Sequence, residues 1–178
     1  MAETLSQRIA RFVVREAGEL MTPPARHQAM RAILDTLAVT VAGGADGAVR
    51  RAEASLDEMP AGACRSPWTG KRYAMPDGAL LYGMASHMYD YDDVSMLAVC
   101  HPSAPVLSAL LAAQAGGLAA QGAGGAEFVT AFAAGTEVLI RLGQAMGFRH
   151  YELGFHATST LGAVGAAAAV ARLARLDE

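Results

Sequence analysis

Histidine and aspartate concentrate in a few short stretches of this sequence. They are Ser86-His87-Met88-Tyr89-Asp90-Tyr91-Asp92-Asp93, then Cys100-His101-Pro102-Ser103, and later Gly154-Phe155-His156-Ala157-Thr158. Three carboxylates within four positions stand in a chain of which only 17% is charged. Crowding like charges among apolar residues raises the cost of ionising them, through repulsion and desolvation together. Such crowding is found where protons are moved or cations are held.

His101 and His156 share a setting, each lying just before a predicted helix. The unpaired N–H groups and the dipole of a helix start create positive potential there. That field favours the neutral imidazole, the form competent as a base. The same helix mouths attract carboxylates. Two of them brought together would bind a di- or tricarboxylate and place a base beside it. Asp90, Asp92 and Asp93 would orient the imidazoles, or one would stay protonated and act as an acid.

The neighbouring residues have plainer readings. His87, three positions before Asp90, caps or pairs with it, and His150 reads as a surface residue. Tyr89 and Tyr91 read as packing residues. Met75, Met84, Met88 and Met96 read as fillers of core gaps. A Cys100–His101 thiolate pair is discounted, because adjacent side chains rarely point the same way. The spacing of His87, Asp90, Asp93 and His101 matches no standard metal site, so no metal is expected.

Helical periodicity must position these groups, and it runs through most of the chain. Leu5, Ile9, Phe12 and Val13 mark one face, opened by a Thr4–Gln7 capping box. After Pro23-Pro24, the residues Met30, Ile33, Leu34, Leu37 and Val41 form a stripe that Gly43-Gly44 ends. A shorter helix covers Val49–Met59. Residues 63–73 break the pattern and read as a short extended excursion or hairpin. Pro76 opens a helix reaching about Tyr89, and Asp90–His101 is a loop. Ser103 caps the next helix. The Gly116–Gly125 stretch connects it to a long helix ending near Gly147. The last helix starts near His156 or Thr158 and is apolar all round, which predicts burial on all sides. The expected fold is all-α, a compact bundle of about six to eight helices.

The chain has 178 residues, the length of one domain. It is 53% hydrophobic, with mean hydropathy +0.25, largely through Ala and Gly, so it signals close helix contact. No run reaches the length of a membrane span, and no signal-peptide core is present. The default expectation is a cytoplasmic protein. Net charge is −3 and Lys71 is the only lysine, so no basic surface awaits nucleic acid. Cys64 and Cys100 stand alone, with no zinc, redox or cluster-binding spacing, and no cofactor is expected.

Taken in order, the segments resemble the N-terminal half of the MmgE/PrpD family, which includes 2-methylcitrate dehydratase, cis-aconitate decarboxylase and iminodisuccinate epimerase. The resemblance rests on Ala32-Ile33-Leu34-Asp35-Thr36-Leu37, Ala85-Ser86-His87 with Asp90-Tyr91-Asp92-Asp93, and His101-Pro102-Ser103-Ala104-Pro105-Val106-Leu107. It continues in Gly135-Thr136-Glu137-Val138, Arg141-Leu142-Gly143, His150-Tyr151 and Gly154-Phe155-His156-Ala157-Thr158. The resemblance implies a helical domain whose pocket is completed by a smaller α+β lid, in a homodimer. It also implies metal-independent lyase or isomerase chemistry on small polycarboxylates. The family's active-site aspartate falls on Asp90 and its two histidines on His101 and His156. Asp93, Ser95 and Thr158 are expected to bind substrate. Val94 stands where the family commonly carries Thr, leaving Ser95 to substitute for its hydroxyl.

The resemblance covers residues 1–178 as the N-terminal helical domain, and the segments that supply the family's lid and its basic residues find no counterpart here. The expectation is therefore half of a polycarboxylate lyase or epimerase, active with a complementing C-terminal chain. The alternative is a non-catalytic helical remnant serving oligomerisation or scaffolding. A terpene-type cyclase, suggested by the D-x-D-D pattern at Asp90–Asp93, would need an aromatic cavity that 6% aromatics and one Trp hardly supply.

Overall fold

The computed structural model describes residues 3–178. Helix α1 (Leu5–Arg11) opens with the Thr4–Gln7 capping box, in which Thr4 Oγ1 accepts the Gln7 N–H at 3.3 Å and Gln7 Oε1 accepts the Thr4 N–H at 2.9 Å. It runs into a π-helical stretch (Phe12–Glu16) and a last turn, α2 (Ala17–Glu19). A π turn loosens the backbone ladder, and Arg172 takes up carbonyls there. Its Nη1 donates to Val13 O at 3.2 Å and Val14 O at 2.7 Å, while the same guanidinium pairs with Glu127.

Helix α3 (Pro23–Gly43) is capped by Thr22, and α4 (Gly47–Ser55) by Asp46. Residues 63–73 hold the expected excursion, a hairpin of β1 (Cys64–Arg65) and β2 (Arg72–Tyr73) with Cys64 opposite Tyr73. Then come α5 (Met75–His87), α6 (Ser103–Ala115), α7 (Gly125–Met146), the single turn α8 (Arg149–Glu152) and α9 (Ala157–Leu173). The fold is the all-α bundle read from the sequence. No single helix among the described residues is long and apolar enough to cross a membrane.

Side by side, α3 packs on α5, α5 on α6, α6 on α9, and α9 on α7. Val106, Leu107 and Leu110 of α6, Phe132 and Leu139 of α7, and Leu173 of α9 are fully buried among them. The helices approach through small residues. A Cβ added to Gly135 would lie 2.5 Å from the carbonyl oxygen of Gly165, so α7 and α9 touch backbone to backbone.

Two expectations about helix faces are overturned by that closeness. Of the stripe on α3, Met30, Leu34, Leu37 and Val41 face outward, with Leu34 70% exposed, while Ile33 packs partly buried against the core. The buried face is Ala29, Thr36, Thr40 and Gly43, small enough to let α5 come close. On α9, Leu161, Gly165, Ala168 and Ala169 are buried, but Ala163, Val164 and Ala167 are exposed. An Ala-rich helix looks apolar all round while only one side carries the contact.

Candidate functional site

Helix α5 delivers His87 at its C-terminal end, and the chain then turns sharply. Asp90 takes a left-handed backbone (φ 52°), a conformation Asp tolerates better than most residues. The turn brings its carboxylate to 3.4 Å from His101 Nε2. Asp92 folds underneath: its side chain is 0% exposed, and Oδ1 accepts from His87 Nδ1 at 2.9 Å while standing 3.4 Å from His101 Nδ1. The two imidazoles meet edge to face, centroids 4.5 Å apart. Val99, also left-handed at φ 49°, precedes Cys100 and His101. A β-branched residue held there is strained, as backbones near functional groups often are.

His101 lies two residues before α6, as expected, and Thr158 of α9 fixes it. Thr158 Oγ1 accepts the His101 backbone N–H at 2.9 Å. His156 is the residue from which α9 starts, and neither α6 nor α9 receives a side-chain cap from its own capping position. Between α5, α6 and α9 runs a groove of about 390 Å³ lined by Gly83, His87, Pro105, His156, Thr158 and Ser159. Asp90 and His101 are thus brought together directly. His156 is exposed and lines the groove with His87, whereas Asp90 and His101 do not line it; His156 Nδ1 is hydrogen-bonded to the Tyr151 hydroxyl at 2.9 Å.

Other expected contributors are placed differently. Asp93 turns away to the start of α6, where its two oxygens accept the Ser103 N–H at 3.2 Å and the Ser103 hydroxyl at 2.6 Å. Burial pushes the Asp93 carboxyl above its ordinary range despite those bonds, and the Asp92 and Asp35 charges add to the rise. Ser103 is therefore held by Asp93 rather than being the cap, a place taken by Pro102. Ser95 makes a backbone bridge with Cys100. Burial, then the Asp93 charge, lifts the Cys100 thiol to about 11, which disposes of a thiolate there.

The plainer readings also need correction. His87 pairs with Asp92, not Asp90, and Tyr89, Tyr91 and Met96 are exposed. His150 is buried, with Nε2 2.7 Å from Thr160 Oγ1 and its ring stacked on Phe155. Of the three aspartates expected to orient the imidazoles, Asp92 is the one sealed beneath them. Its buried neighbour set depends on the turn at Asp90, which sequence spacing does not reveal.

Chemically, the site pairs imidazole with carboxylate at two depths, one solvent-facing (Asp90, 77% exposed) and one sealed (Asp92). Such pairs pass protons. The start of α9 beside them offers N–H groups and a positive dipole end to an anion, whereas the start of α6 is taken up by the Asp93 carboxylate. Donor atoms of His87, Asp90, Asp92 and His101 also lie close enough together to surround a metal ion.

The family model described as the MmgE/PrpD N-terminal domain matches residues 7–178. No curated protein matches the chain.

Proposed function

This chain belongs to the MmgE/PrpD family, and we propose that it forms the proton-handling half of a lyase or isomerase acting on small di- or tricarboxylates. The reaction is metal-independent and moves a proton on the carbon next to a carboxylate. Asp90 and His101 are one proton-handling pair, and His156, on the groove that His87 also lines, is the second group. With two such groups, one takes a proton from carbon while the other protonates a departing hydroxyl, which is dehydration. Delivery of a proton to the carbon that loses CO2 is decarboxylation, and removal on one face with return on the other is epimerisation.

The observation that carries this reading is the 3.4 Å approach of Asp90 Oδ1 to His101 Nε2 at the mouth of α6, beside the groove that His156 lines. Thr158 contributes by holding His101, and Ser95 remains a candidate hydroxyl for substrate. Asp93 acts from behind, by fixing the start of α6. No Lys or Arg lines the groove, so a polycarboxylate is held here by the start of α9 and the imidazoles, and a complementing lid segment or a second chain would strengthen its hold with cationic partners. The openness of Asp90 fits a site that such a segment closes.

Binding tests the reading directly. Citrate, as a tricarboxylate probe, raises the melting temperature of the chain, by linkage of binding to folding. The double variant H101A/H156A abolishes the rise. A rise unchanged in that variant, or no rise at millimolar citrate, overturns the proposal. The exposed α3 stripe of Met30, Leu34, Leu37 and Val41 favours a second reading, an oligomerisation module. A stable oligomer indifferent to citrate would support it.

A further inference from the structure

We propose that His87, Asp90, Asp92 and His101 form a seat for one divalent transition-metal ion of the zinc class. One donor atom from each of the four residues can be chosen so that all lie within 4.8 Å of one another. Zinc-to-ligand distances of about 2.0–2.2 Å place neighbouring ligands of a tetrahedron about 3.3–3.6 Å apart. His101 Nε2 lies 3.4 Å from Asp90 Oδ1, and His87 Nδ1 lies 2.9 Å from Asp92 Oδ1. Small rotations of side chains bring the set to that spacing.

A second feature points to a cation independently of the clustering. Asp92 has no exposed side-chain surface, and its Oδ2 has no hydrogen-bond partner among the described residues; neither has the buried Nδ1 of His101. A carboxylate oxygen sealed from water without a donor is costly, and a bound cation supplies what the protein does not. Two imidazoles with two carboxylates select zinc, cobalt or nickel over magnesium and calcium, which prefer all-oxygen sites. Asp90, on the open side, gives the ion a route in.

This inference rests on the proton-handling reading in one respect only: an ion seated there occupies His101 and Asp90 and silences the chemistry proposed for them. The metal therefore acts as an inhibitor of that reaction, which needs none.

Calorimetric titration of the chelator-treated chain with Zn2+ tests the site, with Co2+ followed in the visible spectrum as a probe of tetrahedral geometry. One ion per chain is expected, at micromolar affinity or tighter. D90A and D92N each weaken it at least tenfold, while H27A, on the exposed part of α3, leaves it unchanged. Asp90 is mostly in solvent, so D90A decides the question even if D92N does not fold. Absence of saturable one-to-one binding, or wild-type affinity in D90A and D92N, overturns the proposal. Binding is read without turnover and without citrate. Its failure therefore leaves the lyase reading standing, and failure of the citrate test leaves this one standing.

Discussion

The hydroxyl of Thr158 accepts the backbone N–H of His101 at 2.9 Å across 57 positions of sequence. One hydrogen bond thus ties the approach to α6 to the first turn of α9. Removing the acceptor leaves a part-buried N–H unsatisfied, at a cost of about 1–3 kcal/mol. T158V, which keeps the side-chain shape, should lose about that much stability and also the citrate-induced rise in melting temperature. T158S restores the acceptor and should recover most of both. Urea denaturation with and without citrate reads the two effects separately.

Ser103 is held to Asp93 by a short 2.6 Å hydroxyl–carboxylate bond and a backbone bond of 3.2 Å. Hydrogen bonds to charged groups contribute about 1.5–3 kcal/mol. S103A should lower stability by an amount in that range, measured by urea denaturation. The Zn2+ affinity should stay near the wild-type value, because neither residue supplies a donor atom to the four-residue cluster. A large loss of metal affinity in S103A would show that the start of α6 positions His101 more tightly than Thr158 alone does.

Local rules made much of this fold legible. Thr4 with Gln7, Pro23-Pro24, Pro76 and Gly147 mark helix boundaries through capping and backbone restriction, which act over a few residues. His101 and His156 could be placed at helix starts for the same reason. The failures share a cause too. Which side of α3 is buried depends on how closely α5 approaches Gly43, and α3 itself does not encode that distance. The choice between Asp92 and Asp93 as the carboxylate beneath the imidazoles turns on the left-handed residue Asp90. One altered backbone angle reassigns every side chain after it. The burial of His150 depends on Thr160, in the next helix.

Glu53 gives a pH dependence that is independent of the site. Its burial alone would raise the carboxyl's pKa. Hydrogen bonds from the Thr69 hydroxyl at 2.6 Å and from Trp68 Nε1 at 3.1 Å, with the nearby Arg50 charge, overcome this and leave it below the ordinary range. A carboxyl depressed in the folded state stabilises the protein above its unfolded value, about 4.3. That stability is lost as pH falls through the folded value. E53Q should therefore be less stable than wild type at pH 7, with a shrinking difference below about pH 4.3. Melting temperatures of both proteins across the acid range check the convergence. Parallel curves would mean that Glu53 contributes through packing alone.

Gly43 links the packing of the bundle to the candidate site. A Cβ placed on it would run into the carbonyl oxygen of Ala85, on α5 two residues before His87, and would crowd Met88 Cβ at 3.2 Å. Backbone cannot yield as a side chain can, so α3 and α5 must separate. Overpacking of this kind costs about 1–3 kcal/mol. G43A should lose that much stability, although Ala is the better helix former. Because the displaced segment carries His87 toward Asp92, G43A should also weaken Zn2+ binding, with no donor atom removed. An exposed-face control, V41A, should do neither, since Val41 points away from α5 and lies mostly in solvent. Equal Zn2+ affinity in G43A and wild type, despite the stability loss, would mean that the loop after α5 absorbs the shift before it reaches the imidazoles.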